Sequence, residues 1–363
     1  MRIAKYIFAK KIFKKTEHPV LSFDSDDWGV AKIEQDYFDA GAAEGLDLFS
    51  NPFVFYDSLE DIETFNSIKE VLSKYKGYNS TVPSFTLNYS AFNPDFERIK
   101  ASSFKNYYNI PLERSYKGDS FEFVRSFILN NNRFFDISFH CAQHINIYHF
   151  LSDGRAKKHC VIDSAKLNST NISDSYINHP SGYMDELSAI SVEESRAISK
   201  YIIDGVNYLS GLFGNNFQGI ITPTCGAFDK KTLKFLLPYF QYAKTSIVHY
   251  ENKRFKLKKR ISFSGKAFGL KLVYRLIDFD PTICLDQGEN YFNALKKQIT
   301  YCFKKRLPVI VSTHRLNYSI GHDNGKHSDF SLQMLDRFLN WLVTKYKDIE
   351  FLTTKQIIER YRK

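Results

Sequence analysis

The feature that most limits what this chain can fold into is the recurrence of short apolar runs rich in β-branched and aromatic residues. They occur at residues 19–24, 81–86, 135–140, 217–222, 242–248, 273–279, 308–313 and 349–353, with helical periodicity between them. Strands alternating with helices in this way predict a mostly parallel sheet or barrel. Two of the helices are clear. Ser191-Val-Glu-Glu194 reads as a capping box opening a helix to about Phe213, and over 330–346 the residues Leu332, Leu335, Phe338, Leu339 and Leu342 share one face. Strand number and length suit one barrel better than two domains. The expected fold is therefore α/β, a distorted (β/α) barrel over 19–363 behind a basic segment, 1–18. Two stretches break the pattern. Residues 145–190 are rich in Ser, Asn and Asp without clear periodicity, and 252–271 are basic with two glycines; both are expected to be excursions over the barrel mouth.

With 363 residues, 43% hydrophobic and 25% charged, the chain has the composition of a globular protein and is large enough to bury a core without staples. Its five cysteines (141, 160, 225, 284 and 302) are scattered, with no C-x-x-C pair. That argues against a disulfide framework or a Cys-rich zinc site and favours a reducing compartment. The first fifteen residues interleave lysine with short apolar pieces and never reach the length of a signal-peptide core or a membrane span, so the expected location is cytoplasmic. The net charge of +10 gathers at 10–15, at 253–260 and at the C-terminus. Such patches could attract an acidic glycan, a membrane surface or nucleic acid. Because no nucleic-acid motif accompanies them, the reading is a solvated basic surface with at most peripheral membrane contact.

Asp24-Ser-Asp-Asp-Trp-Gly29 comes straight off the first apolar run. Three carboxylates at the end of a buried strand repel one another unless a cation or shared protons hold them, so the cluster asks for a metal; the alternative is a solvated turn with Asp as a helix N-cap. In His140-Cys-Ala-Gln-His144 the i, i+4 spacing lets both imidazoles face one way if a helix starts there. One carboxylate and two imidazoles would make a three-ligand site with one position open. Further polar clusters fall where strands are expected to end: Asn88, Asn93-Pro-Asp95, Pro223-Thr-Cys-Gly226, Asp280-Pro281 and His314-Arg315-Leu-Asn317-Tyr318. In a βα barrel these ends converge on one face, which favours an enzyme.

These residues resemble the polysaccharide deacetylase family, metal-dependent carbohydrate esterases with a NodB-homology domain and a distorted (β/α) barrel. The resemblance runs from about Pro19 to Thr353. Ser22-Phe-Asp-Ser-Asp-Asp-Trp-Gly29 looks like the first motif, in which one Asp is the catalytic base and another binds metal, and His140-Cys-Ala-Gln-His144 looks like the H-x-x-x-H metal motif. Ile221-Thr-Pro-Thr-Cys-Gly226 is similar to the third motif, usually an Arg-Pro-Pro-x-Gly groove wall, although here the Arg is missing. Ile310-Val-Ser-Thr-His314 looks like the last motif, ending in the general-acid His. The segments 83–88, 93–96 and 312–318 are closest to a divergent branch encoded in bacterial surface-glycan loci. The inserted Ser25 gives D-x-D-D, so either Asp26 or Asp27 could be the ligand. Family members with D-x-D place the base first and the ligand two residues on, which favours Asp26, with Asp24 as base.

The resemblance implies a metal-dependent hydrolase that removes an N- or O-acyl group from a sugar of a bacterial surface polysaccharide or its precursor, acidic and lipid-linked glycans included. The divalent ion would be Zn²⁺, with Co²⁺, Ni²⁺ or Fe²⁺ compatible with mixed N/O ligands. His314 would protonate the leaving amine or hydroxyl, and Asp278 or Asp280 would orient it. A backbone N–H near Trp28 or Gly226 would help to hold an oxyanion. Substrate contacts are expected from Trp28, Asn88, Pro223, Cys225, Gly226, Arg315, Asn317 and Tyr318. The same residues have plainer readings, Trp28 and Tyr318 as core and Arg315 and Asn317 as loop caps. His179-Pro180 and Asp185-Glu186 could touch substrate or simply build the excursion. Two other functions compete: hydrolysis of another C–N or glycosidic bond, and a glycan-binding pseudoenzyme.

Overall fold

The computed structural model describes residues 2–169, 182–214, 217–246, 248–253, 256–261 and 265–363. The strands of its main sheet are β1 (Val20–Trp28), β2 (Phe85–Tyr89), β3 (Phe135–Phe139), β4 (Phe217–Ile221), β5 (Tyr242–Thr245), β6 (Lys266–Ala267), β7 (Leu270–Tyr274), β8 (Ile277–Asp278), β9 (Val309–His314) and β10 (Glu350–Phe351). They form one ten-stranded sheet in the order β6-β7-β5-β4-β3-β2-β1-β9-β8, with β10 also beside β1. Every pairing is parallel except the short β6–β7 ladder.

The sheet is curled, and one segment links its two flanks. Strands β7 and β8 lie at opposite flanks yet are separated in the chain only by Arg275 and Leu276. Arg275 N–H donates to Thr245 O on one side and Leu276 N–H to Ile310 O on the other, both at 3.0 Å. The predicted run 273–279 is thus a single strand bent at Arg275, and the fold is mixed α/β around a barrel-like sheet.

Alternation along β1 separates two environments. Phe23 faces outward against Phe85 and Phe338, at ring centroids of 5.1 and 6.1 Å, under the helix Lys326–Lys345. Asp24 and Asp26 face the interior with Asn88 of β2 and Lys244 of β5. Lys326–Lys345 buries Leu335, Phe338, Leu339 and Leu342 as its periodicity predicts. The helix Val192–Phe213 opens on Ser191, whose side chain accepts the Glu194 N–H at 3.0 Å. The Glu194 carboxylate reaches back to Ile190 N–H, at 2.9 Å, so the reciprocal half of the expected capping box is displaced by one residue.

Three stretches differ from their sequence reading. Residues 145–190 contain the helices Ile147–Arg155 and His159–Lys166, which bury Phe150, Leu151, Cys160 and Val161 against Phe96, Ile99 and Phe104 in a small separate cluster. At nine and eight residues, neither helix is long enough to show a stripe in sequence. His179 and Pro180 lie outside the described residues. Within 252–271, a two-stranded ladder pairs Val248–Lys253 with Lys256–Ile261, and β7 begins at Leu270. The basic N-terminus forms the helix Arg2–Ile12, which buries Tyr6, Ala9 and Ile12 in the main core. No helix among the described residues is long and apolar enough to cross a membrane.

A buried ionic clamp fixes the turn after β1. Arg315, directly behind β9, is fully enclosed; its guanidinium donates to Asp57 at 2.9 Å, to Glu60 at 2.5 Å and to Val30 O at 2.7 Å. Glu60 also accepts the Gly29 N–H at 3.0 Å and the Tyr116 hydroxyl at 2.6 Å. Arg315 therefore cannot contact substrate, and its expected binding role is corrected to an internal one. Replacing it with Met leaves buried Glu60 without a cation while Asp57 keeps only Lys32, at 3.1 Å, so Arg315→Met is expected to cost about 3–5 kcal/mol in urea unfolding. Breaking the exposed Arg337–Glu289 pair by Arg337→Ala should cost less than about 1 kcal/mol.

Candidate functional site

The site begins where β1 stops being regular. Its register against β2 shifts between Ser25 and Trp28, and Asp27 adopts a left-handed φ of 73°. Up to that point alternation holds, and Asn88 Nδ2 donates to Asp24 at 2.7 Å and to Asp26 at 2.6 Å. The bulge then re-aims Asp27 into the mouth rather than toward the amides of the Trp28–Gly29 turn. Asp27 Oδ1 lies 3.2 Å from His140 Nε2 and 3.1 Å from His144 Nε2. These three buried residues present ligand atoms that all fall within 4.8 Å of one another.

The two imidazoles do not share a helix, which starts only at Ile147. Left-handed turns at Cys141 (φ 66°) and His144 (φ 57°) bring the rings to 4.9 Å instead. Glu186, from the far end of the 145–190 excursion, braces this loop. Its carboxylate accepts the N–H groups of Ala142, Gln143 and His144 at 3.0, 3.0 and 2.9 Å. Burial nonetheless pushes its pKa up to about 7. Asp185 is likewise buried, its carbonyl held by Asn146, so this pair builds the loop.

The structure redistributes the carboxylates. The preference for Asp26 as ligand is corrected, because Asp27 is the carboxylate beside the imidazoles. Asp26 instead pairs with Arg275, whose Nη1 is 2.6 Å from Oδ2. Asp24 has no exposed surface; it is held by Lys244 Nζ at 2.9 Å, Thr354 Oγ1 at 2.8 Å and Asn88. Lys244 also donates to Asn88 Oδ1. Enclosed in that way, Asp24 cannot serve as the base, and Asp26 is the remaining acidic group on the wall.

A cavity of about 360 Å³ is lined by Asp26, Asp27, His140, His144, Arg275 and His314, with Pro223, Cys225 and Gly226 also on its wall. His314 Nδ1 lies 3.0 Å from both carboxylate oxygens of Asp280, and its Nε2 is 3.9 Å from Asp26. Asp280 is thus the orienting carboxylate, while Asp278 is exposed. Asn317 is buried and donates to Asp280 at 2.8 Å, so it steadies the partner of His314 and does not reach substrate. Trp28 is core, tilted against Phe65 at a ring-centroid distance of 5.0 Å with its indole N–H on Ser25; Tyr318 is core against Phe85 with its hydroxyl on Thr313. Asn88 is likewise interior and sets Asp26. Gly226 N–H is already donated to Pro223 O, at 3.0 Å, and Gly29 N–H to Glu60, so neither is available as an oxyanion donor.

The donor set fits a divalent cation. His140 donates Nδ1–H to Thr222 O at 2.8 Å, so Nε2 is the nitrogen that faces Asp27; burial is outweighed by Asp26 and Asp27, which raise the pKa of this ring, and Nε2 turns a lone pair toward the carboxylate when the ring is neutral, as a metal ligand must be. A lone pair facing a carboxylate oxygen is repulsive unless a proton or a cation lies between them. Two imidazole nitrogens and one carboxylate oxygen, with a cavity beyond, match zinc ligation with an open position. Around this set the charges are sorted. Burial would raise Asp27, but His144 and His140 outweigh it and hold it well below the usual carboxylate range. Burial likewise opposes ionisation of Asp26, yet Arg275 brings it to about 2. Burial lowers His144. For His314 burial is outweighed by Asp280, which raises it to about 10.

Sequence reading missed Arg275 and Lys244 as parts of the site. The signal for them was a single cation inside a predicted strand, since Arg275 falls in the run 273–279 and Lys244 in 242–248. For Glu186 the sequence left substrate contact and loop building open, and the structure selects the second, through backbone groups more than forty residues upstream.

No family model matches the chain, and no curated protein is significantly similar to it in sequence. Among solved structures it is similar to a 4-alpha-glucanotransferase from Thermococcus litoralis, with 10% identity over 96% of this chain and a TM-score of 0.42; the chain spans 40% of that protein's length. It is also similar to a "putative polysaccharide deacetylase" from Mycobacterium smegmatis, with 11% identity over 95% of this chain and 90% of that one, at a TM-score of 0.38. Neither likeness is high enough to carry a functional argument, which rests on the site itself.

Two measurements check the site. In a zinc titration of chelator-treated protein, Asp27→Asn should weaken binding at least about tenfold, while Asp26→Asn should stay within a few-fold of wild type. The His314–Asp280 pair sets a pH dependence of stability. A histidine whose pKa is raised on folding contributes fully below its unfolded value, about 6.5, and loses that contribution as pH rises through the folded value near 10. Urea unfolding should therefore show wild type losing stability relative to His314→Gln across that window, with a constant difference below it.

Proposed function

We propose that the protein is a metal-dependent hydrolase that removes an acetyl or other acyl group from a sugar of a bacterial surface polysaccharide or its precursor. The observation that carries this reading is one cavity in which the Asp27–His140–His144 set sits beside an anionic Asp26 and a cationic His314. A divalent cation on that set supplies Lewis acidity toward an acyl carbonyl and toward water.

The chain's own residues account for the proton movements. Asp26, kept ionised by Arg275 and oriented by Asn88, accepts a proton from the attacking water. Oxygen from that water bonds to the acyl carbon, the C–N or C–O bond to the sugar breaks, and His314 delivers its Nε2 proton to the departing nitrogen or oxygen. Asp280 fixes the ring through Nδ1, so Nε2 is the atom left toward the cavity. The low pKa of Asp26 and the high pKa of His314 keep both groups in these protonation states across the neutral range. The basic surface and the expected cytoplasmic location are compatible with an acidic or lipid-linked precursor as substrate.

The test is product analysis of zinc-loaded protein on N-acetylated and O-acetylated glycans. The expected product is acetate with no new reducing ends, and Asp26→Asn should lower kcat by about 10²–10⁴ while retaining its zinc. New reducing ends would identify a glycosidic-bond hydrolase. Zinc at full occupancy without any product across the glycan panel would identify a glycan-binding pseudoenzyme.

A further inference from the structure

The basic N-terminus gains neighbours in the fold that chain order does not show. The helix Arg2–Ile12 turns Tyr6, Ala9 and Ile12 inward, and its outer face carries Ile7, Lys10 and Lys11, one turn apart, with exposed Lys14 and Lys15 following. Tyr6 packs on Tyr301 of the helix Gly288–Lys304 at a ring-centroid distance of 4.7 Å. Thr16 N–H donates to Arg306 O at 3.0 Å, and Arg306 Nε donates back to Thr16 O at 2.8 Å. Lys304 and Lys305, both exposed, therefore stand beside Lys14 and Lys15. The C-terminus closes the third side. Lys14 N–H donates to Tyr361 O at 2.7 Å, and Lys363 Nζ to Lys10 O at 2.8 Å.

Three segments distant in the chain thus build one cationic face. Lys10, Lys11, Lys14, Lys15, Lys304 and Lys305 pair with no carboxylate among the described residues. Over 10–17, 301–306 and 359–363 the sequence holds ten lysines and arginines against two acids, Glu17 and Glu359. Amid these charges Ile7 keeps 51% of its surface exposed and Tyr301 36%. A lone exposed isoleucine is ordinary. Flanked by lysines on one helix face, it has the make-up of an interfacial helix, in which ammonium groups meet lipid headgroups and apolar side chains enter the acyl boundary.

We propose that this face docks the protein on an anionic lipid bilayer. Lysine is a point charge on a long stem, able to follow a layer of mobile headgroups. A nucleic-acid backbone offers no apolar layer for Ile7. The guanidinium forks that would grip its phosphates are occupied here, since Arg306 and Arg362 bond backbone carbonyls and Arg360 holds Glu350 at 2.7 Å. The face also lies away from the cavity. Thr16 and Arg306 precede β1 and β9, whose far ends carry Asp26, Asp27 and His314, and the nine residues of β1 span about 30 Å. Docking there leaves the mouth open to water, and the inference does not depend on the hydrolase reading.

The experiment is co-sedimentation of the full-length protein with phosphatidylcholine vesicles that contain or lack about one third phosphatidylglycerol, at about 0.1 M and about 0.5 M salt. Binding is expected only with the anionic vesicles and should fall steeply at the higher salt. Each lysine near an anionic bilayer changes affinity about fivefold, so Lys10→Gln/Lys11→Gln and Lys304→Gln/Lys305→Gln should each weaken binding at least about tenfold. Ile7→Ser should weaken it several-fold. An equal charge change at Lys105→Gln/Lys157→Gln, beside and within the 145–190 excursion, should leave it within about twofold, because that site lies beyond the screening length from the face. The proposal is overturned if the anionic vesicles are not bound, if either lysine pair is removed without loss, or if Ile7→Ser binds as wild type does. It is equally overturned if the Lys105/Lys157 variant weakens binding as much as the other pairs, or if duplex DNA, RNA or polyglutamate is bound more tightly than the vesicles at the lower salt. Should one lysine pair fail to fold, the other decides.

Discussion

Three carboxylates within four residues at the end of one buried strand can coexist only if each has its own counter-charge, and the structure around β1 is organised by that requirement. Asp24 takes Lys244 from β5, Asp26 takes Arg275 from the bend between β7 and β8, and Asp27 takes the two imidazoles that follow β3. Asn88 of β2 ties the first two together. Removing any one cation would leave a buried charge whose solvation nothing replaces. The partners come from strands on both flanks of β1, so satisfying the charges and curling the sheet are the same event.

Arg275 joins fold and chemistry most directly. Its backbone N–H bonds to β5 while the next residue bonds to β9, and its side chain holds the carboxylate nearest the cavity. The Arg315 clamp works one shell further out. By engaging Asp57 and Glu60 it fixes the Gly29 turn, and with it the bulge that aims Asp27. Neither arginine needs to touch substrate for its loss to disturb the site. Hydrolysis of an acyl sugar is the reading that uses this arrangement most fully.

Much of this was legible in sequence. The strand runs, the long helices, Asp27 with His140 and His144 as candidate ligands, and His314 with Asp280 all follow from apolar patterning and from polar residues at strand ends. The errors share a cause. Strand alternation correctly put Asp24 and Asp26 on one side, but it carries no information about a bulge, which depends on how β1 meets β2. Arg315, Asn317, Trp28 and Tyr318 follow strand ends just as a substrate-binding residue would, and burial alone tells them apart.

The sequence by itself determined the alternation of strands and helices and which residue types stand at the strand ends, because hydrophobic periodicity and chain order are local properties. Tertiary structure alone decided which carboxylate meets the imidazoles and which is sealed beneath them. It also decided that Arg275 and Lys244 are the counter-charges. Those outcomes depend on distances between groups far apart in the chain, and a buried charge is settled by whatever packing brings within a few ångströms of it.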